Sequence, residues 1–204
     1  MIWQARALFN RTDPAGFLSG GLTPIVVVPG VWESWKFLQP LVTSMHERGH
    51  PVHVVRLLHS NSRPVMDEAA HVDAYLDEHD LTDVLLVAHS KGGLIGKYVM
   101  VKGSSAGRVR GMVAVATPFS GSRYARYLFL PSLRIFSPKD AVIVSLAREL
   151  VVNERIVSVF GAFDPHIPGG SYLQGAKNVR LDTGGHFRVL AHPRVIAEVT
   201  RMAA

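Results

Sequence analysis

Short, solid runs of aliphatic residues alternate along the chain with segments whose apolar positions recur every three or four residues. Ile25-Val26-Val27-Val28 is the first such run, and Pro29-Gly30 ends it. A run with no polar position reads as a strand buried on both faces. Ser34 then precedes Leu38, Leu41, Val42 and Met45 at helical spacing, and Gly49 supplies a stop. The pattern goes on to predict a strand over 52–58, then a helix over 67–79 with Ala69, Val72 and Leu76 on one face. A doubly buried strand over 83–88, a helix over 92–101 and a strand over 109–116 follow. An irregular stretch, 117–138, separates these from a helix over 140–150, a strand over 156–160 and a short strand over 178–182. A helix over 193–202, with Val195, Ile196 and Val199 inward, ends the pattern.

Solidly apolar strands alternating with helices indicate an α/β protein, with a mostly parallel sheet of about six strands covered on both faces. Crossovers in such a sheet are right-handed, and ligands bind beyond the carboxyl ends of the strands. A catalytic motif should therefore sit just after a strand. Ala88-His89-Ser90-Lys91-Gly92-Gly93 does so, following the most apolar strand and opening a helix. A serine hydroxyl is a poor nucleophile unless its backbone holds it clear of the sheet and a base stands beside it. A tight strand-turn-helix junction provides the first condition and needs small residues two before and two after the serine. The usual pattern is G-x-S-x-G; here Ala88 and Gly92 fill the small positions. Ser90 could also be an ordinary helix N-cap.

From these residues onward the chain resembles the α/β-hydrolase superfamily, and within it the small bacterial lipases and esterases. The resemblance rests on an ordered set: Pro29-Gly30-Val31-Trp32, the elbow at 88–93, Thr117-Pro118-Phe119-Ser120-Gly121-Ser122, Asp164 in Gly161-Ala162-Phe163-Asp164, and Gly185-His186. It runs from about residue 24 to the C-terminus and implies an α/β-hydrolase fold over 1–204 as one domain, with 117–150 as a small cap or lid segment. It also implies a Ser-Asp-His triad in that chain order. Among 10 histidines, His186 follows a short strand and a glycine turn and matches the family's base. His192, beside Pro193, is the competitor and reads as a helix start. His89 points away from an elbow serine and reads as structural, and His53, His59, His71, His79 and His166 read as surface or packed histidines. Asp164 matches the family's acid position; Asp140 reads as an N-cap, and Asp182 as the end of a strand.

The resemblance assigns the oxyanion hole to two backbone N–H groups, of Val31 and Lys91, with Trp32 as the fallback for Val31. These donors are main-chain, so the role does not require either side chain. Losing one such donor is expected to cost about 3 kcal/mol of barrier lowering. The reaction implied is ester hydrolysis through an acyl-enzyme, with no metal or organic cofactor. Thioester or amide hydrolysis and acyl transfer use the same residues, and a binding protein that keeps the pocket is the non-catalytic alternative. Trp32, Phe119, Tyr124 and Leu128 are the expected substrate contacts. The apolar residues over 124–136 read either as an acyl-chain surface or as core.

Composition narrows the partners. Nearly half of the 204 residues are hydrophobic, which fits a globular domain, and the absence of cysteine removes any disulfide, thiolate ligand or thiol nucleophile. The net charge of +6 is spread without a run of like charges, which argues against nucleic acid and leaves at most weak contact with an anionic lipid interface. No stretch approaches the roughly 20 apolar residues of a membrane span. Residues 1–17 contain Arg6, Arg11 and Asp13 and do not read as a signal peptide, so a cytoplasmic location is expected, with a secreted mature form as the alternative. The expected partner is a small-molecule or lipid ester.

Overall fold

The computed structural model describes residues 12–127 and 131–204. Leu128 lies outside the described residues, as do residues 1–11 of the stretch read for a leader. Six strands, β1 (Ile25–Val28), β2 (Val52–Val54), β3 (Val84–His89), β4 (Val109–Val115), β5 (Ile156–Phe160) and β6 (Lys177–Arg180), form one sheet in the order β2-β1-β3-β4-β5-β6. Every pairing is parallel.

The solid apolar runs have the role their pattern predicts. Ile25 and Val27 of β1 face one layer, and Val26 and Val28 face the other. Leu85 and Val87 of β3 join the first face, and Leu86 and Ala88 the second. Both sets of side chains leave water, each contributing about 1.5–3 kcal/mol when fully buried. On the first face lie α1 (Gln39–His46) and the terminal α6 (Pro193–Ala203). On the second lie α2 (Val65–Glu78), α3 (Lys91–Lys102) and α5 (Ala141–Arg148); a single-turn helix, α4 (Pro131–Arg134), precedes α5.

Three elements differ from the sequence pattern. The strand expected over 52–58 stops at Val54, because its partner β1 offers pairing only from Ile25↔Val52 to Val27↔Val54, and the chain then turns through a 3-10 segment, Arg56–Leu58. The helix expected after Ser34 begins as a 3-10 turn, Trp35–Leu38, and becomes α-helical at Gln39 with Pro40 in its first turn, where a missing N–H costs nothing. The stretch over 117–138 is partly regular, with a 3-10 segment, Arg123–Tyr127, and α4.

The strand order places the site. After β1 the chain moves outward to β2, and from there it crosses to β3 on the other side of β1. The loops after β1 and β3 therefore diverge and leave a crevice at the carboxyl edge. Val28 pairs with Ala88, and Ala88 with Ala114, so these strands end at nearly one level. Between β3 and α3 the chain turns at Ser90 with φ +52° and ψ −121°. A Cβ at Gly92 would lie 2.1 Å from the Val28 carbonyl oxygen, so only glycine lets α3 start this close to β1. Gly92→Ala is expected to be overpacked by about 1–3 kcal/mol or more and to lower Tm by about 5 °C or more. Gly107→Ala, where a new Cβ meets nothing within 4 Å, is the control and should leave Tm nearly unchanged; thermal unfolding followed by circular dichroism reads both.

Candidate active site

Ser90 occupies a backbone region that L residues rarely adopt, and such strain persists where the surroundings dictate it. Its N–H donates to Val115 O at 2.9 Å, which fixes the turn against β4. No side-chain capping bond is made at Ser90, so the N-cap reading does not describe its hydroxyl. Instead Ser90 Oγ lies 3.0 Å from His186 Nε2, and His186 Nδ1 lies 2.7 Å from Asp164 Oδ2. The other Asp164 oxygen accepts the backbone N–H groups of His166 at 2.8 Å and Ile167 at 3.3 Å. Asp164 thus spends one oxygen on its own loop and the other on the imidazole. With Asp164 ionised, His186 Nδ1 carries the ring proton and Nε2 is free to accept from the serine.

Electrostatics agree with this tautomer. Burial pushes the Asp164 carboxyl up, but the hydrogen bond and charge of His186 and the two backbone N–H donors outweigh it, and the net shift is downward. Burial lowers the pKa of His186, as do the neighbouring imidazoles of His89 and His166; Asp164 opposes them, and the ring stays below its ordinary value. The ring is therefore a neutral acceptor near pH 7.

The alternatives fall elsewhere. Asp140 caps α5, accepting from Val142 N–H and Ile143 N–H. Asp182 lies 3.4 Å from His192, away from Ser90, and His192 caps α6. Trp32 N–H donates to Ser60 O at 2.6 Å, so the fallback oxyanion donor is already engaged. Val31 N–H and Lys91 N–H have no acceptor among the described residues.

A cavity of about 360 Å³ opens beside Ser90 and His186. Its walls include Val31, Trp32, Tyr124, Leu133, Phe136 and Ile167. Trp32 and Tyr124, both half exposed, line it. Phe119 is a correction: it is 5% exposed, packs in the core on the α3 side of the sheet and is not among the residues that line the cavity. Among the described residues of 124–136, Phe136 fits both readings, since it belongs to the core and also lines the cavity.

Three features were not found from the sequence. His89, expected to point away, has its ring centroid 4.8 Å from that of His186 and pairs with Glu33. His166 is exposed, as its surface reading has it, yet its ring centroid lies 4.7 Å from that of His186. Lys91, needed only for its backbone, has a fully buried side chain whose Nζ donates to the carbonyls of Asn61 and Arg63. Asn61 in turn donates to Pro29 O at 2.6 Å, so Lys91 braces the segment that holds the loop after β1. Burial pushes its ammonium down to about 8, against the opposing pull of Glu68 and Asp67. Each of these signals is a partner at least 20 residues away, which local periodicity cannot carry.

The Asp164→Asn protein removes the charge that raises His186's proton affinity and leaves at most a weaker hydrogen bond to a neutral amide oxygen. The His186 midpoint should therefore fall below its wild-type value, read by NMR titration of the ring; a rise would contradict the role given to Asp164 beside the ring.

No protein-family model and no curated protein matches the chain. Solved structures do match. The mature lipase BlEst2 of Bacillus licheniformis superimposes with a TM-score of 0.71 at 17% identity, covering 96% of this chain and 95% of that one. One of the metagenome-derived lipolytic enzymes LipS and LipT gives 0.70 at 14%, covering 90% and 94%. BpoC of Mycobacterium tuberculosis, which carries the name of a non-heme bromoperoxidase, gives 0.68 at 13%, covering 90% and 92%. The chain has the α/β-hydrolase fold, and lipases and esterases are among the proteins that share it.

Proposed function

We propose that the protein is a serine hydrolase that cleaves carboxylic esters, with Ser90 as nucleophile, His186 as base and Asp164 as the acid that orients it. The observation that carries this reading is the unbroken chain of contacts from Ser90 Oγ to His186 to Asp164, at 3.0 and 2.7 Å, on a strained turn at the mouth of an apolar cavity. His186 Nε2 takes the Ser90 proton as Oγ forms a bond to the ester carbonyl carbon. The free N–H groups of Val31 and Lys91 stabilise the oxyanion. The tetrahedral intermediate then collapses, the carbon–alkoxy bond breaks, and His186 gives its proton to the leaving alcohol. Water, deprotonated by His186, attacks the acyl carbon; the bond to Ser90 Oγ then breaks, His186 gives its proton to Oγ, and the carboxylic acid leaves. Asp164 stays ionised throughout and stabilises the imidazolium.

The cavity supports a small substrate. About 360 Å³ is near the lower end of ligand-binding pockets, and its mostly apolar wall suits an uncharged acyl chain. Soluble esters of short to medium chain length fit it better than long-chain fats, which favours an esterase over a lipase preference. Among the described residues no helix is long and apolar enough to cross a membrane.

A fluorophosphonate probe should label the wild-type protein and not Ser90→Ala, and p-nitrophenyl butyrate should be turned over faster than the palmitate ester. Ser90→Ala should lose about a thousandfold or more in kcat. A wild-type protein that is neither labelled nor hydrolyses any ester from acetate to palmitate would end this reading; faster turnover of the matching thioester or amide would move it to that reaction.

The pH profile has a fixed sign. His186 must be neutral to accept a proton, and its affinity for protons is lowered by burial. Activity should therefore persist as pH falls past the ordinary histidine value of about 6.5 and be lost only below it. The acid limb of kcat/KM measures this.

A further inference from the structure

Glu33 and His89 are both buried, at 3% and 0% exposure, and belong to the loop after β1 and the last residue of β3. His89 Nδ1 lies 2.9 Å from Glu33 Oε1 and 2.8 Å from Oε2. Glu33 Oε2 also accepts the Gly30 N–H at 2.9 Å, while the Glu33 N–H returns to Gly30 O at 3.2 Å. A Cβ on Gly30 would lie 2.4 Å from the Glu33 carboxylate, so the turn closes around that group. On its other side, His89 Nε2 lies 3.1 Å from the backbone O of His186. A carbonyl oxygen only accepts, so Nε2 carries a proton. Nδ1 faces two carboxylate oxygens at nearly equal distances, one of them already accepting a backbone N–H. That is the arrangement of an ionised carboxylate receiving a second ring proton.

We propose that Glu33 and His89 are a buried carboxylate–imidazolium pair that acts as a positioning device. It ties the Gly30–Glu33 turn and the His186 loop to the elbow and keeps a fixed positive charge beside the His186 ring. The catalytic part of this proposal rests on the serine hydrolase reading; the charge state of the pair does not. Burial opposes charging His89, yet the Glu33 charge and hydrogen bond and the His186 carbonyl outweigh it, and its proton affinity is raised. The pair joins three segments that must act together: the loop carrying Val31, the elbow carrying Ser90 and the loop carrying His186. The side-chain groups gathered around His186 are Asp164 and His166 from the loop after β5, Ser90 from the elbow, His89 from β3 and Glu33 from the loop after β1. Of these, His89 supplies the fixed cation. It disfavours the protonated, inactive form of His186 at rest and so extends the working range toward acid.

Glu33→Gln separates charge from geometry. The glutamine oxygen can still accept from Gly30 N–H and its amide can donate to His89 Nδ1, leaving His89 neutral with the Nε2–H···O=C bond to His186 intact. The experiment is ring-15N NMR titration in Ser90→Ala protein, with His166→Gln added so that the other neighbouring imidazole is absent. Two ring N–H protons on His89 persisting at pH 8 are expected, with one lost in Glu33→Gln. The His186 midpoint should then rise by about half a pH unit or more, roughly threefold in proton affinity. A neutral His89 at pH 8 in the parent, or an unmoved His186 midpoint, would overturn the proposal. In otherwise wild-type protein, His89→Gln removes the imidazole and should lower kcat on p-nitrophenyl butyrate by about tenfold or more with little change in KM, as loss of orientation does. An unchanged kcat would remove the positioning role. Absence of hydrolysis by the wild type would instead count against the serine hydrolase reading, while the NMR result still decides the charge state.

Discussion

The strained backbone of Ser90 is the constraint on which the rest of the site depends. With φ at +52° and ψ at −121°, the chain reverses within one residue between a doubly buried strand and a buried helix. The surroundings enforce it at close range: Gly92 lets Val28 O approach, and a Cβ at Gly93 would lie 2.0 Å from Thr117 Oγ1. The cost of such a residue is of order 1–3 kcal/mol, and the apolar packing of β3 and α3 on both sides is what holds it. A hydroxyl on a relaxed turn would be free to cap its own helix. Here it is carried away from the helix N–H groups and toward His186.

That placement makes the neighbouring loops the next problem. The loop after β1 has a positive φ at Trp32 and a turn with its own buried carboxylate, so it is not held by regular secondary structure. Two long-range ties hold it instead. Lys91 reaches from the first turn of α3 to the backbone of Asn61 and Arg63, and Asn61 and Ser60 hold Pro29 O and Trp32 N–H. Glu33 is held from the sheet side by His89. The residues flanking the serine, His89 and Lys91, thus reach in different directions and brace the loop that contains Val31. An elbow sequence of A-H-S-K-G-G is in this sense more than a small-residue pattern, because its two large positions carry the loop that faces the serine.

The sequence made the layers legible and the ties illegible, for physical reasons. A strand such as Val84–His89 is buried on both faces by its crossover helices, so its apolar run is nearly unbroken and easy to read. The order of Ser90, Asp164 and His186 was legible because each follows a strand. β2 was overread because apolar residues continue past its last pairing, and pairing depends on the length of a neighbour. Phe119 was misplaced because an aromatic side chain after an elbow-facing strand can turn either way, and the direction is set by the core beneath. The His89–Glu33 contact spans 56 residues in sequence; a histidine and a glutamate with no shared periodicity announce nothing until the fold brings them together.

The charges around His186 explain why such a pair suits this place. The ring must be neutral at rest and charged while the serine proton is in transit. Asp164 alone would favour the charged form at all times, since its carboxylate is held ionised by two backbone N–H groups. Burial and the two neighbouring imidazoles pull the other way. A lone buried cation would be costly, but Glu33 accompanies His89 and leaves the pair neutral as a whole, with its positive end nearer the ring. The field at His186 is then set by the orientation of a neutral pair instead of by net charge. Orientation in turn is fixed by the same hydrogen bonds that hold the loop after β1, so the geometry of the site and the proton affinity of its base are governed by one set of contacts.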